Sequence, residues 1–412
     1  MSQIFHQHTC SNGLVIIGES MPHVSSVSVS LLVSVGAAVD PKGKEGCSNI
    51  LVEMFSKGAG KWNAQELSQE FENLGIQRSS SSGIEVSVFS IAMLPEKLAN
   101  GLTLLKTMVL EPTFPSEELE SIKSLALQDL KALEDEPASL SMHELSKDFY
   151  PAPFNSSQIG TEQGINQISI EDLKNYYQQQ FLPSPGVIAV AGKFNWPEVV
   201  SILEKQFTNW SGTKERLKSS AFSGEAKLRH ISRETSQVQI ALAYPSVTYG
   251  HRDFYTAKVA NGVLSGGMAG RLFIEVREKR GLVYSVSSSH SSSRLYGGVF
   301  ASAGTTPENA QETFDVMLRE ITNLKNGVES EELKRSKADL KSRIVMQSEL
   351  STSRVSSLIN DWWNLGKIRT VEEIKKGVDQ VTSEDIVRYC TEFPASPLTL
   401  ITLGSKSVEL SQ

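Results

Sequence analysis

The stretch FPSEELESIKSLALQDLKAL, residues 114–133, has a second version in GVESEELKRSKADLKSRI, residues 327–344. Each opens on an acidic turn, Glu117 and Glu118 in one and Glu331 and Glu332 in the other, and continues with Lys and Leu. Carboxylates suit the electropositive first turn of a helix, so both stretches read as long helices with the same start signal. One such match could be chance. The elements around the two copies follow the same order, which points to an internal duplication.

Upstream of the first copy, VSSVSVSLLVSVGA (24–37) alternates Val27, Val29, Leu31, Val33 and Val35 with Ser28, Ser30 and Ser34, the period of a strand with one buried face. SNGLVIIGES (11–20) and GIEVSVFSIAML (83–94) read as further strands, and NAQELSQEFENLG (63–75) as a helix from Asn63 to Gly75. Upstream of the second copy, SQVQIALAYP (236–245) is a strand, and helices are expected near 252–265 and 270–280. VYSVSSSHSS (283–292) and YGGVFASAG (296–304) make a hairpin. Strands and helices come in runs, so the fold class is α+β. Two homologous halves of about 200 residues are expected, each an antiparallel sheet covered by helices on one face. The polar stretch 209–227 suits a linker. The expected division is residues 1–212, a linker at 213–228, and residues 229–412.

The 412 residues are 39% hydrophobic and 21% charged, the balance of an ordinary globular protein. The net charge of −7 and the lack of a clustered basic face argue against a nucleic-acid partner. No apolar run is long enough to span a membrane. Cys10, Cys47 and Cys390 are scattered and form no CxxC, so free thiols are expected rather than a disulfide framework. The N-terminal segment does not read as a secretory signal, so the expected location is cytoplasmic.

Two segments carry a family resemblance: GAAVDPKGKEGCSNILVEMFSKGAG (36–60) and LSGGMAGRLFIEVREKRGLVYSV (264–286). Through them the chain resembles the pitrilysin/insulinase-like metallopeptidases, in the subgroup of the mitochondrial processing peptidase, over nearly its whole length. The resemblance implies a motif HxxEH on a helix. There, two histidines bind zinc and the intervening glutamate acts as general base. Gly46, Leu51, Met54, Lys57 and Gly58 match the frame, but Asn49 and Glu53 stand at the histidine positions and Val52 at the base. The position of the third ligand falls on Asp129. An amide is a poor zinc ligand, and valine cannot accept a proton. No metal is therefore expected at this helix.

The second segment is intact. The resemblance implies that Arg277 and Tyr284 reach a zinc site, Tyr284 as donor to the oxyanion and Arg277 as a holder of a substrate carbonyl. A competing reading of the residues makes Arg277 an ion-pair partner of Glu275 or Glu278, and Tyr284 a packing residue. Gly266 and Gly267 lie in a loop that contacts substrate in the family. A simple turn is the alternative. His6 and His8 would share one face of a strand as a possible metal pair.

The resemblance implies a zinc-free subunit that completes the site of a homologous HxxEH-bearing partner. The heterodimer would cleave unfolded peptides held along a sheet edge. Zinc would belong to the partner, and this chain would have no cofactor of its own. In the zinc-bearing partner, the expected edge is the counterpart of GIEVSVFSIAML. The alternative is a catalytically inactive structural or peptide-binding subunit, like the core proteins of respiratory complexes.

Overall fold

The computed structural model describes residues 3–222 and 224–410. The first sheet contains β1 (Ile4–Thr9), β2 (Val15–Ser20), β3 (Val27–Val33), β4 (Gln77–Ser82), β5 (Ser87–Met93) and β6 (Gly186–Gly192), in the order β1-β2-β6-β3-β5-β4. The second contains β7 (Lys227–Ser232), β8 (Val238–Ser246), β9 (Val283–Ser292), β10 (Gly297–Thr305) and β11 (Thr399–Gly404), in the order β9-β10-β8-β11-β7. Read backwards, the second order superposes on the first from β2 onward. The one parallel pair of the first sheet, β2 with β6, matches the one parallel pair of the second, β7 with β11. The duplication is thus written in the topology, and the sheets are mixed rather than purely antiparallel. β1 has no counterpart in the second sheet.

The alternation in β3 does not mark one buried face. All of Val27–Val33 is buried, including Ser28 and Ser30. The chain forms two compact units, each discontinuous in sequence. One comprises Met1–Ala132, Ala152–Leu217 and Gln347–Ile368, and the other Leu133–Pro151, Lys218–Met346 and Arg369–Gln412. The helix that follows each copy of the opening stretch is therefore exchanged. Helix Ser351–Leu365 covers the second face of the first sheet, and helix Pro137–Phe149 covers the second face of the other. The linear halves 1–212 and 229–412 differ from the units by these two segments.

In the first unit, Val355, Leu358, Ile359 and Trp363 pack on Ile17, Leu32, Val187 and Ala189. Each such side chain contributes about 1.5–3 kcal/mol when fully buried. Ser351 Oγ lies 2.9 Å from the hydroxyls of both Ser26 and Ser28, which satisfies the buried serine face. Arg354 donates to Glu19 Oε2 from Nε (2.7 Å) and Nη2 (2.5 Å), with side chains 4% and 5% exposed. In the second unit, Leu145 and Phe149 lie on Ala241, Ala243, Phe300 and Ile401. There the ion pairs are peripheral, from Arg229 to Glu144 (2.7 Å) and to Asp148 (2.8 Å).

The remaining helices follow their start signals. Asn63 and Glu66 form a capping box at helix Ala64–Asn73. The two copies of the opening stretch are helices Ser116–Asp135 and Ser330–Ser348. GIEVSVFSIAML forms β5, but it pairs with β3 on one side and β4 on the other. The edges of the first sheet are β1 and β4, so GIEVSVFSIAML is an interior strand. β9, the serine-rich strand of the second copy, is likewise an edge.

Candidate functional site

The helix of the degenerate motif spans Cys47–Met54. Its start is fixed by Gly46, which has φ of 108°, a left-handed conformation that glycine adopts without strain. The Asp40 carboxylate caps the helix, accepting from the Gly46 amide (2.8 Å), the Ser48 amide (2.9 Å) and the Tyr176 hydroxyl (3.1 Å). Burial pushes the Asp40 carboxyl up to about 6, although the hydrogen bonds from Gly46, Ser48 and Tyr176 pull the other way. Sequence reading missed this residue. It stands two residues before Lys42-Gly43-Lys44 and seven ahead of the helix's first residue, which gives no capping-box signal.

Along this helix Asn49 is half-buried, Val52 is 3% exposed and Glu53 is exposed. Val52 belongs to the main core of the first unit. Asp129 is exposed on helix Ser116–Asp135. Among the described residues, the one group of three or more His, Cys, Asp and Glu side chains able to share an ion contains none of these four. The donor set offers an amide, a hydrocarbon and carboxylates, which does not fit a catalytic zinc. Cys47, the first residue of this helix, is buried, and burial with the nearby Asp40 charge pushes its thiol well up.

The second segment differs in its backbone. Residues Phe273–Glu278 form a π-helical turn, with the Lys279 amide bonded to the Ile274 carbonyl at 2.9 Å. Such turns cluster at functional sites. The register of β9 against β10 then slips between Val283 and Ser285, so Tyr284 is the unpaired residue of a bulge. A bulge re-aims a side chain out of the pleat, and Tyr284 is 79% exposed. The bulge is anchored by Thr305 Oγ1, which donates to the Leu282 carbonyl at 2.7 Å. At the other end, Arg271 makes a fork to Glu332 (2.8 and 2.7 Å).

These two irregularities bring Arg277 and Tyr284 together. The guanidinium lies 5.0 Å from the Tyr284 ring centroid and 5.0 Å from that of Phe273. Glu275 does not pair with Arg277. It binds Lys279 (2.6 Å) and Arg280 (2.8 Å), which hold its carboxyl below the usual range. Among the described residues no carboxylate pairs with Arg277. The arrangement is a cation held by two rings, next to a phenol open to solvent. Both can donate to an oxyanion or a carbonyl. Phe273 was not singled out from sequence; its place four residues before Arg277 is the signal that could have found it.

Gly266 and Gly267 end helix Phe254–Ser265. A Cβ on Gly266 would lie 2.3 Å from the Gly262 carbonyl oxygen, and Gly267 has φ of +85°. Turn geometry alone requires both glycines. Met268 beside them is exposed. His6 and His8 do not act together. His6 bonds Ser20 (2.9 Å) and stacks on Trp196 (4.9 Å between centroids), whereas His8 bonds Glu204 (2.7 Å).

Residues 15–162 match the family profile described as insulinase (peptidase family M16), and residues 167–340 match the M16 inactive domain. A Bacillus subtilis relative described as an uncharacterized zinc protease is 29% identical over 384 residues, 92% of this chain and 93% of its own. The crystal structure of a peptidase M16 inactive domain from Pseudomonas fluorescens aligns with a TM-score of 0.89 at 21% identity, covering 98% of this chain and 99% of that one. A chain of complex III2 from Candida albicans aligns with a TM-score of 0.84 at 16% identity, covering 97% and 96%. The profile matches cover well over half of the sequence. This chain belongs to peptidase family M16, the insulinase-like metallopeptidases.

Proposed function

We propose that this chain is the subunit without the catalytic zinc in a two-chain M16 peptidase and completes the site of a homologous, HxxEH-bearing partner. One observation carries the reading: Arg277 and Tyr284 are set side by side by a π-helical turn and a bulge, while the motif helix lacks ligands and base. Irregular backbone costs about 1–3 kcal/mol per strained residue, and it persists where a function needs the geometry. When bound in the partner, zinc supplies an activated water. Tyr284 then donates its hydroxyl to the oxygen that gains negative charge, and Arg277 holds a neighbouring carbonyl of an unfolded peptide. Zinc, heterodimer and cytoplasmic location are parts of this proposal.

The competing reading is a structural or peptide-binding subunit. It is favoured by the likeness to a complex III2 chain. Reconstitution separates the two. Mixing this chain with an HxxEH homologue and following cleavage of an unfolded peptide is expected to give activity that neither chain has alone. Partner activity that is the same with and without this chain would sink the composite-site reading and leave the scaffold.

A further inference from the structure

At the end of β1, the strand without a counterpart in the second repeat, three potential metal-binding side chains meet that the M16 site does not use: His8, Cys10 at the rim of the core, and Glu204. His8 lies near the end of β1, and Cys10 follows one residue past that end, at the start of the turn to β2. Helix Trp196–Phe207 brings up Glu204. The His8 Nε2, Cys10 Sγ and a Glu204 carboxylate oxygen all lie within 4.8 Å of one another. The turn is held in place: the Cys10 amide bonds the Leu14 carbonyl (2.9 Å), and Asn12 Nδ2 donates to the carbonyls of Phe207 (2.9 Å) and Trp210 (2.8 Å). Asn12 thereby fixes the hairpin against the end of the helix that bears Glu204. Cys10 and Glu204 also line a cavity of about 370 Å³.

We propose that His8, Cys10 and Glu204 form a binding site for a borderline divalent cation, Zn2+ by preference. A nitrogen, a thiolate and a carboxylate oxygen are the three donor types that zinc accepts, and three protein ligands leave the fourth tetrahedral place for water. Zinc bonds of about 2.0–2.3 Å put tetrahedral ligands roughly 3–4 Å apart. The present spread needs a closure of about 1 Å, which rotation of the half-exposed Glu204 side chain supplies. Binding replaces the His8–Glu204 hydrogen bond with two metal bonds, leaves the His8 ring proton on Nδ1 so that Nε2 can bind, and releases the Cys10 proton to solvent. The site is independent of the proposed composite peptidase site, and it makes total zinc content an unsafe test of the motif helix.

The test uses the full chain stripped of metal, titrated with Zn2+ against a chromophoric chelator and with Co2+ by absorption. The expected result is one equivalent bound, with a thiolate-to-cobalt charge-transfer band. Cys10→Ser should abolish the band, and His8→Ala and Glu204→Gln should each weaken zinc by at least about tenfold. Cys47→Ser and Glu53→Gln should change neither. His8 and Glu204 are partly exposed, so their variants keep the fold, and circular dichroism checks this for all. No binding at all, a cobalt spectrum without the thiolate band, or zinc lost in Glu53→Gln but kept in Glu204→Gln would each overturn the proposal.

Discussion

The motif helix Cys47–Met54 and the segment Arg271–Val286, the two stretches that carry the family resemblance, differ in almost every physical respect. The helix is regular, capped by Asp40, and has its base position filled by a core valine. The segment is irregular twice within twelve residues and presents a tyrosine to solvent. The contrast teaches that Val52 is committed to packing while the second segment leaves Tyr284 open to solvent.

The strongest way to break this contrast is to remove the phenol. Tyr284→Phe is expected to lower the activity of a reconstituted pair by about 10²–10³-fold, the usual loss for one oxyanion donor. Tyr284 is exposed, so the unfolding midpoint should not move. A loss of stability in place of activity would make Tyr284 a packing residue.

The next largest effect concerns the cap of the motif helix. The folded Asp40 carboxyl is raised to about 6 from an ordinary value near 4. The folded chain therefore holds its proton to higher pH than the unfolded chain does. Its contribution is favourable below about pH 4 and is lost as pH rises through 6, a change of about 3 kcal/mol. Urea unfolding at pH 4, 5, 6 and 7, compared between wild type and Asp40→Asn, reads this as a difference in slope. Parallel curves would show that the cap is wetter than its burial implies.

Val52→Glu sharpens the same side of the comparison. It puts a carboxyl into the main core and is expected to cost about 2 kcal/mol by chemical denaturation. No loss would mean that position 52 still opens onto a cleft. The smallest expected effect is that of Phe273→Ala, which removes one of the two rings holding Arg277. A cation–π contact of about 0.5–1 kcal/mol predicts a loss of activity of only a few-fold, with an unchanged fold.

The borrowed helices make a second comparison. The first unit clamps its helix with the buried Glu19–Arg354 pair, and the second unit relies on exposed ion pairs and on aromatic packing of Phe149 against Phe300. None of this was legible in sequence. The alternation Val-Ser-Val-Ser in β3 suggested a wet face, because a local pattern cannot show that Ser351, more than three hundred residues away, will bond the serines. The same limit hid β4 as an edge strand. The strand pattern of GIEVSVFSIAML is as good at the edge as inside, and only pairing with both neighbours places it inside.

The sequence by itself determined the duplication, the family and the mismatch at Asn49, Val52 and Glu53, since start signals and residue identities are local properties. It also singled out Arg277 and Tyr284 from the quoted segment. Tertiary structure decided what surrounds them. The bulge lies in the pairing of β9 with β10, and the π-helical turn sits beside it, so the stacking of Arg277 on Tyr284 has no signature in spacing alone. The exchange of helices after each copy of the opening stretch was likewise a tertiary decision. A helix with an apolar face can cover any sheet of matching shape, and which sheet it covers depends on long-range burial that no window of sequence contains.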